Sequence, residues 1–399
     1  MLPAKNRCIW LALPVLLFCS CQKSPAPSVA KAASTEAVTP KWSDSIPQDR
    51  EADDTARFLA GMPGSAGSQF TALEADPAWK EHRQLMDAAW AKADERLIRG
   101  LHEFQRKELS DEPFAHNLLF YPFSGPDALT ATIEFPESPT FDLVALEPAG
   151  SLPSLDELQK RNLSEYLSGI RTTVASELGK SFFVTREMDR QFRGQITDGL
   201  LVPVLLLLVR TEHTVLGYKY TRLDEKGQII DRPGNAHVDS KYANKGFAIE
   251  FREDGDKSVH RLYYISLNLD NKHLAGNTGF AQYVKTMPEH TTLLKATSYM
   301  THHDEFSTIR GMVLDYSAAV FQDDSGIPYH FFTPDKWKVQ LYGEYTKPYG
   351  SFAFLEQPDL RQAYLANGVK PLSMRLGYGF GKVASNLLLG KRLPAQSQQ

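Results

Sequence analysis

Cysteine is nearly absent from this chain, and its few positions are informative. The 399 residues include three cysteines, Cys8, Cys19 and Cys21, and all of them lie within the first 21 positions. The rest of the chain therefore has no disulfide, no thiol nucleophile and no cysteine ligand for a metal. A folded domain of about 350 residues must then be held by its hydrophobic core, and a chain of that length can form one.

Runs of basic residues and the common catalytic motifs are also missing. The formal net charge is −4, and it becomes −6 if Lys5 and Arg7 are removed with a leader. This mildly acidic balance gives no electrostatic indication of nucleic acid binding. No P-loop, G-x-G-x-x-G or H-E-x-x-H motif occurs, which disfavours nucleotide kinases, dinucleotide enzymes and zincins, and no cofactor or metal site is indicated.

Long apolar runs are lacking after the leader. The most apolar stretch, residues 200–209, is ten residues long and contains Pro203. A bilayer-spanning helix needs about 20 apolar residues. This stretch is therefore predicted to be a buried element of the core.

The N-terminus has the pattern of a secretory leader. Lys5 and Arg7 precede an apolar run over residues 9–18, and the small residue Ser20 stands directly before Cys21. This order predicts a signal peptide whose lipobox places an acylated Cys21 first in the mature protein, anchored in the lipid bilayer. Gln22 is not the aspartate that marks inner-membrane retention, so the periplasmic face of the outer membrane is expected.

Two alternatives to lipidation stay open. Phe18 and Cys19 are unusual lipobox residues, and the sequence Ala30-Lys31-Ala32 fits ordinary A-x-A cleavage. Cleavage there would release the chain into the periplasm without a lipid. The second alternative is that the leader is retained as an anchor.

Composition suggests the domain organisation. Residues 1–20 are the predicted signal peptide, and residues 21–48, rich in Ser, Ala, Pro, Lys and Thr, are a predicted flexible tether. Residues 49–393 are predicted to form one integrated domain, helix-rich over 49–212 and strand-rich over 213–393, with a disordered tail at 394–399.

Helix signals dominate the first half of this domain. Asp76 and Pro77 predict a helix start, followed by an apolar face from Met86 to Phe104. Ser154 and Glu157 form a capping box for a helix that Gly179 is expected to end. Further helices are predicted near residues 279–287, 304–314 and 359–366.

Strand signals dominate the second half. Apolar or alternating runs predict strands at residues 117–121, 141–146, 215–222, 228–231, 247–251, 259–269, 291–298, 318–321, 338–345 and 372–378. Helices first and strands later predict an α+β fold, in which a helix-rich N-terminal half packs on a mixed or antiparallel sheet formed mainly by the C-terminal half.

The most reactive local cluster is Thr301-His302-His303-Asp304-Glu305. Histidine beside carboxylate suits metal binding or acid–base chemistry, but adjacent strand residues point to opposite faces. The competing interpretation is a helix start, with Thr301 as its cap and Asp304 in the first turn.

Two further segments carry candidate residues. Asp323 and Asp324 precede Ser325 and Gly326, a composition typical of a tight turn that also places two carboxylates together. Ser124 and Asp127 lie in an aromatic and proline-rich stretch and are candidates to line a binding pocket. Ser124 lacks the G-x-S-x-G context of a hydrolase nucleophile.

Four stretches carry a resemblance to a known group of proteins. Residues 120–127, 146–153, 302–304 and 322–328 resemble a family of uncharacterised exported bacterial proteins, and the similarity covers most of the chain after the leader. The resemblance implies export and supplies neither a substrate nor catalytic residues.

Two functional hypotheses follow. The first is a tethered binding or scaffold module that contacts an envelope polymer or protein partner, in part through tyrosines of the strand-rich half. These are Tyr263, Tyr264, Tyr299, Tyr342, Tyr345 and Tyr349. The second is a periplasmic hydrolase whose site joins the 302–304 and 323–324 segments, which requires those segments to converge in one cavity.

Overall fold

A mixed sheet of ten strands organises the described part of the chain. The computed structural model describes residues 49–182, 198–231, 245–366, 368–379 and 384–394, so the predicted leader with Cys21, the tether and most of the predicted tail lie outside the described residues. The strands are β1 (Leu118–Pro122), β2 (Thr140–Ala145), β3 (His213–Leu223), β4 (Ile229–Asp231), β5 (Lys245–Glu253), β6 (His260–Ser266), β7 (His290–Leu294), β8 (Ser317–Gln322), β9 (Trp337–Gly343) and β10 (Asn386–Arg392). Their order across the sheet is β4-β3-β5-β6-β2-β1-β7-β8-β10-β9.

The middle of the sheet is parallel and its two edges are antiparallel. Strands β6, β2, β1, β7 and β8 all run in the same direction. Antiparallel pairing adds β5, β3 and β4 on one side, and β10 and β9 on the other. A parallel centre requires cover on both faces, and every residue of β1 and β7 is accordingly buried.

Helices cover both faces of the sheet. They are α1 (Arg50–Leu59), α2 (Thr71–Glu74), α3 (Pro77–Ala93), α4 (Arg99–Phe104), α5 (Ala128–Glu134), α6 (Leu155–Lys160), α7 (Leu163–Lys180), α8 (Leu201–Arg210), α9 (Asn271–Ala275), α10 (Thr278–Thr286), α11 (Ser307–Tyr316) and α12 (Pro358–Tyr364). Two π-helical segments, Asp94–Ile98 and Gln105–Leu109, join α3 and α4 into one long helix and extend it.

Alternation along the strands divides the core into two layers. Leu119 and Tyr121 of β1 belong to one hydrophobic cluster, which also contains residues of α1, α3, α7 and α8. Leu118 and Phe120 belong to a second cluster with residues of α10, α11 and α12. Successive strand residues point to opposite faces, so β1 connects the two layers. The chain is an α+β protein with helices on both faces of a mixed sheet, and all described residues belong to one compact unit.

Two predicted helix starts agree with the structure. Asp76 accepts a hydrogen bond from the backbone N–H of Ala78, and the capping box of Ser154 and Glu157 is formed in both directions. The apolar stretch at residues 200–209 is the buried helix α8. Among the described residues, no helix has the length and apolarity needed to cross a membrane.

Several boundaries were predicted wrongly. The helix that begins after Ser154 breaks after six residues, because Asn162 caps a second helix, and that helix passes Gly179 to end at Ser181 with a φ of 62°. Residues 372–378 were predicted to be a strand, but a 3₁₀ turn at Gly377–Gly379 ends this stretch, which contains no named strand. The strand that pairs with β8 on the side away from β7 is β10, and the sequence analysis predicted no strand at those residues.

A candidate binding cavity at the carboxyl ends of the central strands

The connections of the parallel strands leave the centre of the sheet in opposite directions. From β1 the chain passes through α5 to β2 on one side, whereas β7, the other neighbour of β1, leads through α11 to β8 on the far side. In open α/β sheets such a switch point creates a crevice at the carboxyl ends of the strands, and ligands bind there.

A cavity of about 950 Å³ lies at this switch point. Its wall includes the residues that follow the parallel strands: Phe123, Ser124, Gly125 and Asp127 after β1, Leu146 and Glu147 after β2, Leu267, Asn268 and Leu269 after β6, Lys295 to Met300 after β7, and Asp324 after β8. Residues 346–352, Glu177, Phe182, His303, Phe306 and Tyr378 complete much of the remaining wall. The volume is within the range of small-molecule sites.

A buried ion-pair group lies in the wall of this cavity. The Lys295 Nζ is 2.6 Å from the Asp127 carboxylate and 3.1 Å from that of Glu177, and it donates a hydrogen bond of 2.8 Å to the Thr130 hydroxyl. The three charged side chains are at most 2% exposed. Asp127 caps α5 and Glu177 lies on α7, so Lys295 connects two helices to the end of β7.

Burial controls the protonation of this group. Burial raises the pKa of the Glu177 carboxyl group, and the neighbouring Asp127 carboxylate raises it further, which outweighs the opposing effect of Lys295. Burial alone would lower the pKa of Lys295, but Asp127 and Glu177 keep it above its ordinary value. The lysine is therefore a charged structural group and not a neutral amine nucleophile.

A second polar network supports the loops after β7 and β8. The Asp323 carboxylate accepts hydrogen bonds from the backbone N–H of Ala296 and from Ser325, and burial raises the pKa of Asp323. The Asp324 carboxylate accepts hydrogen bonds from the Tyr299 hydroxyl at 2.7 Å and from the Asn386 amide at 2.9 Å. Asp323 thus holds the two loops together, while Asp324 orients the ring of Tyr299.

Backbone strain concentrates in the same wall. Among the described residues, six non-glycine residues have a positive φ, and four of them line the cavity. They are Phe123 at 63°, Ala296 at 50°, Ser298 at 55° and Tyr299 at 56°. Such conformations cost about 1–3 kcal/mol each and cluster at functional sites, so they support the assignment of this cavity as the functional site.

Four of the seven candidate residues predicted from the sequence line the cavity. These are Ser124, Asp127, His303 and Asp324. Asp323 lies behind the wall in the network described above. Asp304 is fully exposed, with its carboxylate 3.9 Å from the Arg310 guanidinium, and does not belong to the wall.

His302 also lies behind the wall. Its ring packs edge-on against the ring of Tyr299 with centroids 5.1 Å apart, and its Nε2 is buried without a hydrogen-bond partner among the described residues. Burial lowers the pKa of His302 to about 4, so the imidazole is neutral at physiological pH. His302 and His303 therefore occupy different environments.

Thr301 is not a helix cap, contrary to the prediction. It lies in a 3₁₀ turn at Met300–His302, and a second 3₁₀ turn at Asp304–Phe306 precedes α11. Helix α11 begins at Ser307 without a side-chain cap. The Thr301 hydroxyl is buried and has no partner among the described residues.

The sequence analysis missed Lys295, Glu177 and Tyr378. Glu177 had a detectable signal, because it falls on the apolar face of α7 beside Val174 and Leu178. A charged residue in such a stripe is rarely buried without a partner. Lys295 had no comparable signal, since its partners come from distant parts of the chain.

The six tyrosines proposed for flat external contacts are mostly internal. Tyr263, Tyr264, Tyr299 and Tyr342 are at most 4% exposed. Tyr349, by contrast, is 57% exposed and lies in the cavity wall.

Comparison with known proteins identifies no relative. No protein-family model, curated protein or solved structure matches this chain. The described residues also contain no group of three or more His, Cys, Asp or Glu side chains arranged to hold a metal ion.

Proposed function

We propose that this protein is a lipid-anchored module of the bacterial cell envelope that binds a small molecule in the switch-point cavity. The observation that carries the binding proposal is the position of a ligand-sized cavity at the carboxyl ends of the parallel strands, with a buried ion-pair group in its wall. Aromatic and aliphatic residues with a few convergent polar groups are typical of small-molecule sites.

The anchoring proposal is based on the leader sequence and has its own test. Cys21→Ser should abolish palmitate labelling and release the protein from the outer membrane, because stable anchoring requires more than one acyl chain. Cys19→Ser is the matched control and should leave both labelling and fractionation unchanged. Persistent labelling of the Cys21→Ser protein would refute acylation at Cys21.

The binding proposal can be tested with simple aromatic probes on the full-length protein in mild detergent. The panel contains 2-phenylethanol, 2-phenylethylammonium and 3-phenylpropionate, and the readout is the melting temperature, since a ligand stabilises the state that it binds. At least one probe should give a saturable rise.

Two exposed tyrosines provide a matched pair of variants for this test. Tyr349→Ala removes a ring from the cavity wall and should weaken binding, whereas Tyr316→Ala, at the end of α11 and outside the wall, should not. No saturable shift with any probe, or equal weakening by both variants, would refute binding in the cavity.

A periplasmic hydrolase is the second candidate function. It is favoured by one observation, the presence of Ser124, His303 and Asp324 in the wall of the same cavity. Against it, the Ser124 hydroxyl donates its hydrogen bond to the Gly125 carbonyl at 2.9 Å, and no hydrogen bond joins it to a histidine among the described residues. If the protein is a hydrolase of this type, release of nitrophenol from 4-nitrophenyl acetate should be lost in both Ser124→Ala and His303→Ala. A rate no faster than the uncatalysed reaction would dismiss this candidate.

A further inference from the structure

Six hydroxyl groups of the cavity wall direct their protons into the protein. Ser124 donates to the Gly125 carbonyl at 2.9 Å, and Tyr378 donates to the Ala296 carbonyl at 3.2 Å. The Ser298 and Tyr378 oxygens are 3.1 Å apart. Because the Tyr378 proton is already used, Ser298 is the donor in this pair. Each hydroxyl has one proton and two lone pairs, so these oxygens retain lone pairs but have no proton left for a ligand.

Three further hydroxyl groups of the wall behave in the same way. Tyr121 donates to the Asp127 carboxylate at 2.8 Å, and Tyr299 donates to that of Asp324 at 2.7 Å. Thr297 donates to the Ser325 carbonyl at 2.5 Å. Six hydroxyl groups of the wall therefore offer acceptor oxygens to a ligand, whereas the Thr346 hydroxyl accepts a hydrogen bond from the Asn386 amide.

The two ammonium groups of the wall are also engaged within the protein. Lys295 is bound by Asp127, Glu177 and Thr130, and the Lys347 Nζ is 2.8 Å from the Glu356 carboxylate. An anionic ligand would have to compete with these partners, most of all at Lys295, whose three N–H donors are all used. A ligand that itself donates hydrogen bonds meets the existing lone pairs without any rearrangement.

Aromatic rings form much of the remaining wall. The rings of Tyr299, Phe352 and Tyr378 contact one another with centroids 5.0 to 6.0 Å apart. Phe182 packs edge-on against Tyr378 at 4.9 Å. Aromatic rings attract cations through their negatively charged faces, by about 0.5–2 kcal/mol for each contact. Acceptor oxygens beside aromatic rings are thus complementary to an ammonium group attached to an apolar body.

We propose that the cavity binds an organic amine in its ammonium form, with the ammonium group hydrogen-bonded to hydroxyl oxygens of the wall and the apolar part packed on the rings. This inference rests on the proposed small-molecule function. It specifies the ligand as a hydrogen-bond donor and predicts that carboxylate and phosphate ligands bind more weakly.

The test uses a series of probes that share the phenylethyl body. They are 2-phenylethylammonium, which is charged and has three donors, 2-phenylethanol with one donor, 2-phenylethyl methyl ether with none, and 3-phenylpropionate, an anion. Calorimetric titration of the full-length protein should give affinities that decrease in this order. The ammonium ion should bind at least about tenfold more tightly than the ether, as expected for hydrogen bonds from a charged donor.

A fifth probe separates charge from hydrogen-bond donation. Trimethyl(2-phenylethyl)ammonium keeps the charge and loses the donors, so it should bind more weakly than the primary ammonium ion. Ser124→Ala removes one acceptor oxygen and should lower the affinity for the primary ammonium ion while leaving the ether unaffected. Ser168→Ala, at an exposed position on α7 outside the wall, is the control.

The outcomes distinguish this inference from the proposed function. If all probes bind with equal affinity, or if the ether or the anion binds most tightly, the cavity is a binding site but the amine proposal is wrong. If no probe binds, the proposed function itself fails. If the ammonium ion binds most tightly and loses this advantage in Ser124→Ala but not in Ser168→Ala, the proposal is supported.

Discussion

At the scale of single residues, Lys295 joins three separate chain segments in the wall of the cavity. Replacement by methionine leaves the Asp127 and Glu177 carboxyl groups buried without their cation, which typically costs about 3–5 kcal/mol. We expect Lys295→Met to lose that amount of unfolding free energy in urea. Lys347→Met, at a side chain that is 64% exposed, should lose about 0–1 kcal/mol. Similar losses in the two variants would show that the buried group does not stabilise the fold.

Two buried threonines allow a comparison of hydroxyl groups. The Thr301 hydroxyl has no partner among the described residues, so Thr301→Val should be neutral or stabilising. Thr130→Val removes the oxygen that accepts the Lys295 hydrogen bond and should cost about 1–3 kcal/mol. Thermal unfolding of the two variants measures the difference. A loss of about 1 kcal/mol in Thr301→Val would restore the capping role that the sequence suggested.

At the scale of elements, helix α8 shows how burial decides the effect of a substitution. Leu206 on this helix is fully buried, and Leu206→Ala should cost about 2–5 kcal/mol through lost burial and the remaining cavity. Leu85 on α3 is 45% exposed, and Leu85→Ala should change stability by less than about 0.5 kcal/mol. Chemical denaturation measures both values, and equal costs would contradict the burial of α8.

Helix α8 also shows a case in which the periodicity of apolar residues does not distinguish a helix from a strand. Its sequence is apolar at nine of ten positions, so no amphipathic face distinguishes a buried helix from a buried strand. Its burial was predictable from its length and composition, but its helical conformation was not. Helices α3 and α7 were recognisable because polar residues on one side define the apolar face.

At the scale of the whole molecule, buried titratable groups shape the dependence of stability on pH. Burial raises the pKa of Asp142 to about 7 and also raises those of Glu134, Glu177 and Asp323. Burial lowers the pKa of His82, His213, His290 and His302 to about 4. The stability linked to the raised carboxyl groups is lost as pH rises through their folded-state values, and that linked to the histidines is lost as pH falls below about 6.5.

We therefore expect the free energy of unfolding to fall between pH 6.5 and pH 8. At pH 6.5 the histidines of the unfolded state are half protonated, and above about pH 7.5 they are neutral in both states, while the folded state alone keeps carboxyl protons throughout the interval. Each such proton contributes about 1.4 kcal/mol per pH unit. Glu134→Gln should reduce the slope, because both oxygens of Glu134 are buried without a partner among the described residues. The control variant Glu95→Gln, at an exposed position, should leave the slope unchanged. A stability that rises over this interval would refute the assignment of buried protonated carboxyl groups.

Local features of the fold followed from the sequence alone. Helix caps such as Asp76 and Ser154, the hairpin between β5 and β6 at Asp254 and Gly255, and the boundaries of most strands depend on residues within a few positions of one another. The sequence also placed Ser124, Asp127, His303 and Asp324 among the candidate residues. It could do so because a histidine beside carboxylates, a pair of aspartates in a turn and polar residues in an aromatic and proline-rich stretch are all local patterns.

Only the tertiary structure decided the order of the strands and the composition of the cavity. Lys295 meets Glu177 from 118 positions away and Thr130 from 165, and no local pattern encodes such pairings. Strand β10 contains Gly390 and ends in Lys391 and Arg392, so its strand propensity is weak. It becomes a strand because it pairs with β8 and β9 on both sides. Backbone hydrogen bonds between distant segments and the burial that they permit determine these features, and both exist only once the chain is folded.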